Sequence, residues 1–349
     1  MFDQPVIHTI KRYRTLQTGR ISALPLVILM PHSACNCRCV MCDIWKDNKN
    51  LKQLTENDIN PILKTFKKLG TQQVLMSGGE ALLNQNFFRL CEILQKHHIK
   101  ISLLSTGLLL KKHASQLVQF VNDVIVSLDG DEALHDNIRN INGAYEKLKE
   151  GVGAVRAINP NYKITGRTVI HKLNYLQWPG IIDAAKELGL HQISFLPADV
   201  SSHAFNREVL WDAARQGDIV IGKEELPAFQ KIIGELIEKY AADFDTRFIA
   251  ESPDKIRKIY QYYAALQELA EFPFKKCNAP WVSAVVEADG TVRPCFFHEA
   301  FGNIKNDSFE NIINSNKAIQ FRRGLNMQTN DTCVKCVCYL NLSPRTAIS

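Results

Sequence analysis

Cys35, Cys39 and Cys42 stand in a Cys-x3-Cys-x2-Cys spacing near the start of the chain. Three thiolates can hold three irons of a four-iron cube and leave the fourth iron open to a chelating ligand. The alternative for such a set is a zinc ion completed by a distant His or Cys, although zinc sites normally use short paired spacings. Cys37 falls inside the run and is read as a surplus thiol, not a ligand. Toward the other end Cys277, Cys295, Cys333 and Cys336 supply four thiolates, enough to close a second cube completely. Four cysteines with one C-x2-C pair also suit structural zinc, so both metals stay open there. Ten cysteines in 349 residues are too sparse for a secreted disulfide scaffold, and only Cys91 is isolated from the two groups. Thiolate ligation in a reducing, cytoplasmic compartment is the expectation.

Ligands so far apart in sequence need a scaffold to position them. Short β-rich runs at 26–30, 73–76, 99–104, 123–128, 162–170 and 192–196 alternate with helical patterns near 55–69, 86–97, 113–120, 143–156 and 177–189. Apolar residues recur at intervals of three or four within the helical stretches. Such alternation predicts βα units around a parallel sheet, and six strands fit an open (β/α)6 barrel of the TIM type. Thr55 is a candidate helix cap, but Asp58 stands where a full capping box has Glu or Gln. From 199 to 276 the alternation stops, and two amphipathic segments near 223–243 and 252–270 read as bridging helices. After Cys277 the pattern 281–287, Asp289-Gly290, 291–296 predicts a β-hairpin with a type I′ turn, followed by a short helix near 309–315. The expected units are an N-terminal extension 1–25, a partial barrel 26–198, a helical bridge 199–276 and a small hairpin-and-helix module 277–349.

Composition removes several functions. The net charge of +6 comes from 42 basic and 36 acidic residues scattered along the chain, without the clustered stripe that nucleic-acid binding needs. The apolar run 21–30 follows several basic residues, but Pro25 interrupts it and Pro31 ends it, which argues against a signal peptide. No other run approaches the roughly 18 apolar residues of a membrane span.

Several polar groups fall at the C-terminal ends of the strands, where barrel active sites lie. Ser77-Gly78-Gly79-Glu80 follows the second strand, where the glycines let backbone approach a ligand and Glu80 can accept from a cationic amine. Ser105-Thr106-Gly107 ends the third strand and Ser127-Leu128-Asp129-Gly130 the fourth. Arg139 and Arg167 match carboxylate geometry, Arg167 the more so from inside the fifth strand. The cysteine spacing, with Gly78-Gly79-Glu80 one helix later, resembles the radical S-adenosylmethionine (SAM) superfamily. The resemblance implies that SAM binds the open iron through its amino and carboxylate groups, and that an electron from the cube breaks its S–C5′ bond to give a 5′-deoxyadenosyl radical. It also implies that Met41 packs near adenine, that Glu80 receives the SAM amine, and that Ser77, Ser105, Thr106, Ser127 and Asp129 lie along the SAM site. Ala81 replaces the proline that often follows this Gly-Gly-Glu motif.

The second cysteine set, with Gly290-x4-Cys295, Trp281, Gly302-Asn303-Ile304 and the helix after Ser308, resembles the SPASM and twitch extensions of the same superfamily. A full SPASM domain carries further cysteines, whereas only Cys338 remains here, so the resemblance implies one auxiliary [4Fe–4S] cluster. The implied cofactors are two [4Fe–4S] clusters and SAM. The implied partners are a small-molecule or peptide substrate and an external electron donor such as flavodoxin or ferredoxin. The leading expectation is oxidation of a small hydroxylated metabolite of the aminocyclitol type. Maturation of a ribosomal peptide is the second, and a non-catalytic iron–sulfur or zinc scaffold or electron carrier is the alternative of another class.

Overall fold

The computed structural model describes residues 6–346, so the outermost residues of the expected units 1–25 and 277–349 lie outside it. The six expected barrel strands form within two residues of their anticipated ends: β1 (Leu26–Leu29), β2 (Gln73–Met76), β3 (Lys100–Ser105), β4 (Asp123–Ser127), β5 (Ile164–Ile170) and β6 (Ile193–Pro197). All pair in parallel and in sequence order. In β2, β4, β5 and β6 every second residue is fully buried and its neighbours are half-buried. The half-buried set lines the barrel interior, where Gln73 Nε2 donates to Ser102 Oγ at 2.8 Å and Ser102 Oγ donates to Asp123 Oδ2 at 2.9 Å.

Helices Glu56–Leu69, Phe87–Lys96, Leu110–Phe120, Ala144–Ile158 and Trp178–Glu187 fall where the apolar periodicity placed them. At the first, Asp58 replaces the expected Glu or Gln and still reaches back, its Oδ2 accepting from Thr55 N at 2.8 Å. Helix Glu132–Arg139 was not foreseen; Asp131 caps it, accepting from Leu134 N at 3.0 Å, and Asn140 ends it at φ 52°.

The C-terminal module is not a separate appendage. β7 (Ser283–Val286) pairs in parallel with β1, and β8 (Thr291–Arg293) and β9 (Gly302–Asn303) continue the ladder antiparallel. One nine-stranded sheet results, in the order β6-β5-β4-β3-β2-β1-β7-β8-β9. The β7–β8 turn also departs from the type I′ expectation. Of the Asp289-Gly290 pair only Gly290 has positive φ, at 91°, while Gly290 N donates to Glu287 O at 2.9 Å and Glu287 N to Thr291 O at 2.8 Å. These bonds describe a three-residue loop closed by a left-handed glycine.

The bridging segment supplies helices Leu226–Lys239 and Pro253–Leu266, of which the second packs on β6. Tyr263 Oη donates to Ile170 O at 2.5 Å and accepts from Ala198 N at 2.9 Å, tying that helix to the ends of β5 and β6. The N-terminal extension forms helix Val6–Thr18, which Arg12 links to the C-terminal tail by donating to Ser343 O at 3.2 Å and Thr346 O at 2.6 Å. No helix among the described residues is long and apolar enough to cross a membrane.

Candidate active site

The first cysteine loop leaves β1 and is pinned before any metal is considered. Asn48 clasps Cys35, accepting from its N–H at 3.0 Å and donating Nδ2 to its carbonyl at 2.8 Å. Glu80 N donates to Ala34 O at 2.9 Å, while Arg38 N and Val40 N donate to the carbonyls of Arg139 and Ile138, both at 3.0 Å. Asn36 Oδ1 lies 3.0 Å from Thr106 Oγ1, joining the loop to the end of β3. Burial pushes the Cys35 and Cys42 thiols up to about 12. The Cys39 thiol is instead drawn below its ordinary value, first by a hydrogen bond from Cys37 and then, against burial, by the Arg139 charge. Three thiols sharing one loop, one already stabilised as the thiolate, fit the three ligands of an open cube.

Gly78 and Gly79 form the floor of a cavity of about 690 Å³. Its far wall comes from the loop 203–208 and the C-terminal module, including Phe205, Phe296, Phe297 and His298. Phe205 meets Phe296 edge-on, with ring centroids 4.9 Å apart. Phe205 and the following Asn206 both hold left-handed φ, at 62° and 60°, an arrangement that costs non-glycine residues energy and concentrates at functional sites.

The second set of cysteines gathers on the same side, their charges mutually felt among Cys277, Cys295, Cys333 and Cys336. His298 Nε2 lies 3.3 Å from Cys333 Sγ. Lys275 donates Nζ to Val334 O at 3.0 Å and to Cys336 O. Burial lowers its pKa, against the pull of the neighbouring thiolates.

A family model described as the radical SAM superfamily matches residues 29–191, and a second, described as an iron-sulfur cluster-binding domain of the SPASM type, matches 277–337. The chain is a radical SAM enzyme with a SPASM-type auxiliary domain. Such an enzyme binds SAM and iron–sulfur clusters. It is 26% identical to a probable GTP 3′,8-cyclase of Methanococcus maripaludis over 72% of this chain and 84% of the relative. It is 24% identical to the antilisterial bacteriocin subtilosin biosynthesis protein AlbA of Bacillus subtilis over 87% of this chain, but spans only 62% of that protein. Streptococcus suis SuiB bound to precursor peptide SuiA shares its fold, with a TM-score of 0.64 and 14% identity over 93% of this chain and 72% of that one.

Within this radical SAM site, several expected residues take places other than those anticipated. Glu80 is fully buried and its carboxylate is already saturated. It accepts from Leu82 N (3.1 Å), Ser105 Oγ (2.9 Å), Thr106 N (2.8 Å) and Thr106 Oγ1 (2.7 Å). Glu80, Ser105 and Thr106 therefore form one unit at the ends of β2 and β3. Arg139 is not free for a ligand carboxylate: it is ion-paired with buried Asp129 and donates Nη1 to Cys39 Sγ at 3.4 Å. Its guanidinium instead holds a positive charge against the Cys39 sulfur, with Asp129 offsetting part of the cost of burying it. Met41 is buried in the main apolar cluster and does not line the large cavity. Ser77 and Ser127 are half-buried at the ends of their strands. Arg167 lines a different, smaller cavity beside Cys336 and Cys338.

The sequence reading missed the segment that joins the two cysteine sites. Asp43, next to Cys42, accepts from Trp211 Nε1 at 2.6 Å; Arg207 stacks on Trp211 at 4.0 Å and pairs with buried Asp199 at 2.5 Å. Phe205, two residues from Arg207, then reaches Phe296 beside Cys295. Of these, Asp43 and Phe296 carried a signal, being adjacent to ligand cysteines; Trp211 and Arg207 carried none. Asn48, His298 and Lys275 were missed as well, although the last two stand within three residues of a ligand cysteine.

Two expected results arise here. A Cβ on Gly79 would lie 2.1 Å from Ala34 O and 2.6 Å from its carbonyl carbon, both rigid backbone. Gly79→Ala should therefore push the cysteine loop aside, costing about 1–3 kcal/mol in denaturant unfolding and lowering the iron retained on reconstitution. Full iron loading at wild-type stability would show that the loop yields without consequence. The second concerns His135 and His171, both fully buried, whose pKa values burial, and then the Arg139 charge, push down to about 3 and about 4. Both stay neutral in the fold while the unfolded chain takes up protons near its ordinary value of 6.5. Their contribution is complete above that value and is lost as pH falls toward the folded values. Unfolding free energy should thus drop by about 2 kcal/mol per histidine between about pH 7 and about pH 5. The His135→Gln, His171→Gln double variant should lose most of that dependence.

Proposed function

We propose that this enzyme cleaves SAM reductively and oxidises a residue of a peptide substrate, passing the last electron to an auxiliary [4Fe–4S] cluster on Cys277, Cys295, Cys333 and Cys336. The observation that carries this reading is the large cavity that runs from Gly78-Gly79 to the phenylalanine wall beside Cys295. Its five phenylalanines, Phe205, Phe296, Phe297, Phe301 and Phe321, set among charged groups such as Glu208, Arg293 and Lys317, suit the mixed side chains and backbone of a peptide. AlbA, a bacteriocin biosynthesis protein, and SuiB, whose structure holds a precursor peptide, are similar over most of this chain, which supports the same choice.

When bound, SAM and its cluster supply a carbon radical able to take hydrogen from an unactivated C–H bond. The chain's own residues do the rest. Cys35, Cys39 and Cys42 hold the cluster and Arg139 balances its charge at Cys39. Gly78 and Gly79 let the backbone approach SAM, and Glu80, with the Ser105 and Thr106 hydroxyls locked onto it, sets a buried negative charge behind them that draws the ammonium. The cavity wall excludes water from the reacting bond. The substrate loses one hydrogen atom, one electron and one proton. Cys277, Cys295, Cys333 and Cys336 would hold the auxiliary cluster that takes up this electron, and an external donor of the flavodoxin or ferredoxin kind would supply the electron for SAM cleavage.

Anaerobic incubation with dithionite and SAM should release 5′-deoxyadenosine, and turnover of a peptide substrate should yield a peptide lighter by two hydrogens. No 5′-deoxyadenosine from a fully reconstituted protein would overturn the reading. Glu80→Gln keeps the shape and removes the buried charge that attracts the ammonium, so SAM affinity should fall by about tenfold, with both clusters still assembled. Unchanged SAM affinity by equilibrium titration would take Glu80 out of the site.

A further inference from the structure

A second cavity, of about 160 Å³, opens between the inner face of β5 and β6, helix Pro253–Leu266 and the C-terminal tail. Cys336 and Cys338 line it and Cys277, Cys295 and Cys333 do not, so it lies beside the space an auxiliary cube would fill. Its charged walls are Arg167, Lys255, Lys258, Lys275 and Glu251. Lys275 is taken up by the carbonyls of Val334 and Cys336, which leaves three cations facing one carboxylate. Glu251 accepts from Phe195 N at 3.0 Å, and burial raises its pKa against the charges of Arg167 and Lys255 that face it. Lys258 donates to Phe274 O at 3.3 Å, and Lys255 lies over the Tyr339 ring at 5.5 Å.

Arg167 differs from the buried guanidinium groups. Arg139 and Arg207 are paired with Asp129 and Asp199, and Arg322 donates to the carbonyls of Gly19 and Ile313. Arg167 donates only Nε, to Ser194 Oγ at 3.3 Å, and among the described residues its terminal nitrogens have no hydrogen-bond partner. That bond fixes the plane of the guanidinium and leaves its two-nitrogen edge for a planar anion. We propose that this cavity is a subsite for a carboxylate carried by the substrate, clamped by Arg167 in the field of Lys255 and Lys258. The proposal deepens the peptide reading and rests on it, the carboxylate being an acidic side chain or the chain terminus. SAM also carries a carboxylate, but Gly78 and Gly79 line the other cavity, which favours the substrate as the source.

The test uses the reconstituted holoenzyme under anaerobic conditions, with glutarate as the carboxylate probe and glutaramide as its neutral counterpart. Calorimetry should show glutarate binding that weakens with added salt, and none for glutaramide. Arg167→Gln should weaken glutarate by about tenfold or more, and Arg167→Lys should restore part of it. SAM titrated in saturating glutarate should keep its affinity. Absence of glutarate binding, or binding indifferent to both Arg167→Gln and Lys258→Gln, would overturn the subsite. Competition between glutarate and SAM would overturn it too, assigning Arg167 to the SAM carboxylate. Should Arg167→Gln fail to fold, the exposed Lys258→Gln carries the test, with an expected loss of about threefold. The same samples are assayed for 5′-deoxyadenosine, whose absence would sink the radical reading independently of what glutarate does.

Discussion

Replacing Cys35, Cys39 and Cys42 together with Ala is expected to remove about half of the iron and sulfide from the reconstituted protein and to abolish 5′-deoxyadenosine formation. The unmodified protein should hold about eight irons and eight sulfides, two cubes' worth. The halving can be read cleanly because protein hydrogen bonds hold the loop alongside its thiolates. Asn48 holds Cys35 from both sides, Glu80 N holds Ala34, and the backbone of Arg139 and Ile138 holds residues 38 and 40. The variant should therefore stay folded, with Arg139 still paired to Asp129. Iron and sulfide analysis checks the first half of this expectation and product chromatography the second. An unmodified protein with near half the expected iron and bound zinc would make the C-terminal site a structural zinc centre.

The second large effect separates the two clusters. Changing Cys333 and Cys336 to Ala should preserve SAM cleavage and abolish the oxidised product, because a substrate radical becomes a stable product only when one more electron leaves. Four thiolates close every iron of the auxiliary cube, so electron transfer, and not substrate ligation, is its expected part. The tail has anchors of its own that should hold it without the cube. Asn278 N donates to Leu340 O at 2.7 Å, Asn278 Nδ2 donates to Leu342 O at 2.8 Å, and Leu342 N donates back to Asn278 Oδ1 at 2.9 Å. Some stability should still be lost, since a cluster that binds only the folded chain also stabilises it. The variant is checked for its SAM-site cluster by electron paramagnetic resonance before turnover is read. Product formed at the normal rate would make the second cluster structural.

What was legible in the sequence was local. The cysteine spacing, Gly78-Gly79-Glu80 and the period of each strand and helix lie within short windows, and they sit where expected. What was not legible depends on contacts between distant segments. Nothing in Ser283–Val286 says that it will pair with Leu26–Leu29 and not end an independent hairpin. Polar residues at strand ends resemble ligand contacts whether they face a ligand or one another. Arg139 and Glu80 accordingly read as free, although Asp129 engages the one and Ser105 and Thr106 the other. The stretch 199–211 has no period, and its role emerges only when Trp211 meets Asp43 and Phe205 meets Phe296.

The pairing of β1 with β7 bears on how such proteins can be recombined. β1 leads directly into the loop of the first cysteines and β7 into the hairpin that carries Cys295, so one ladder sets the separation of the two sites. Cutting the chain before Cys277 would strip β1 of a neighbour and leave an apolar strand with an unpaired edge, a template for aggregation. The auxiliary part is therefore a poor unit for exchange at its apparent boundary. A chimera that borrows it from a relative must also match the face of β1 against which it registers, or the gap across which the electron passes will change with the graft.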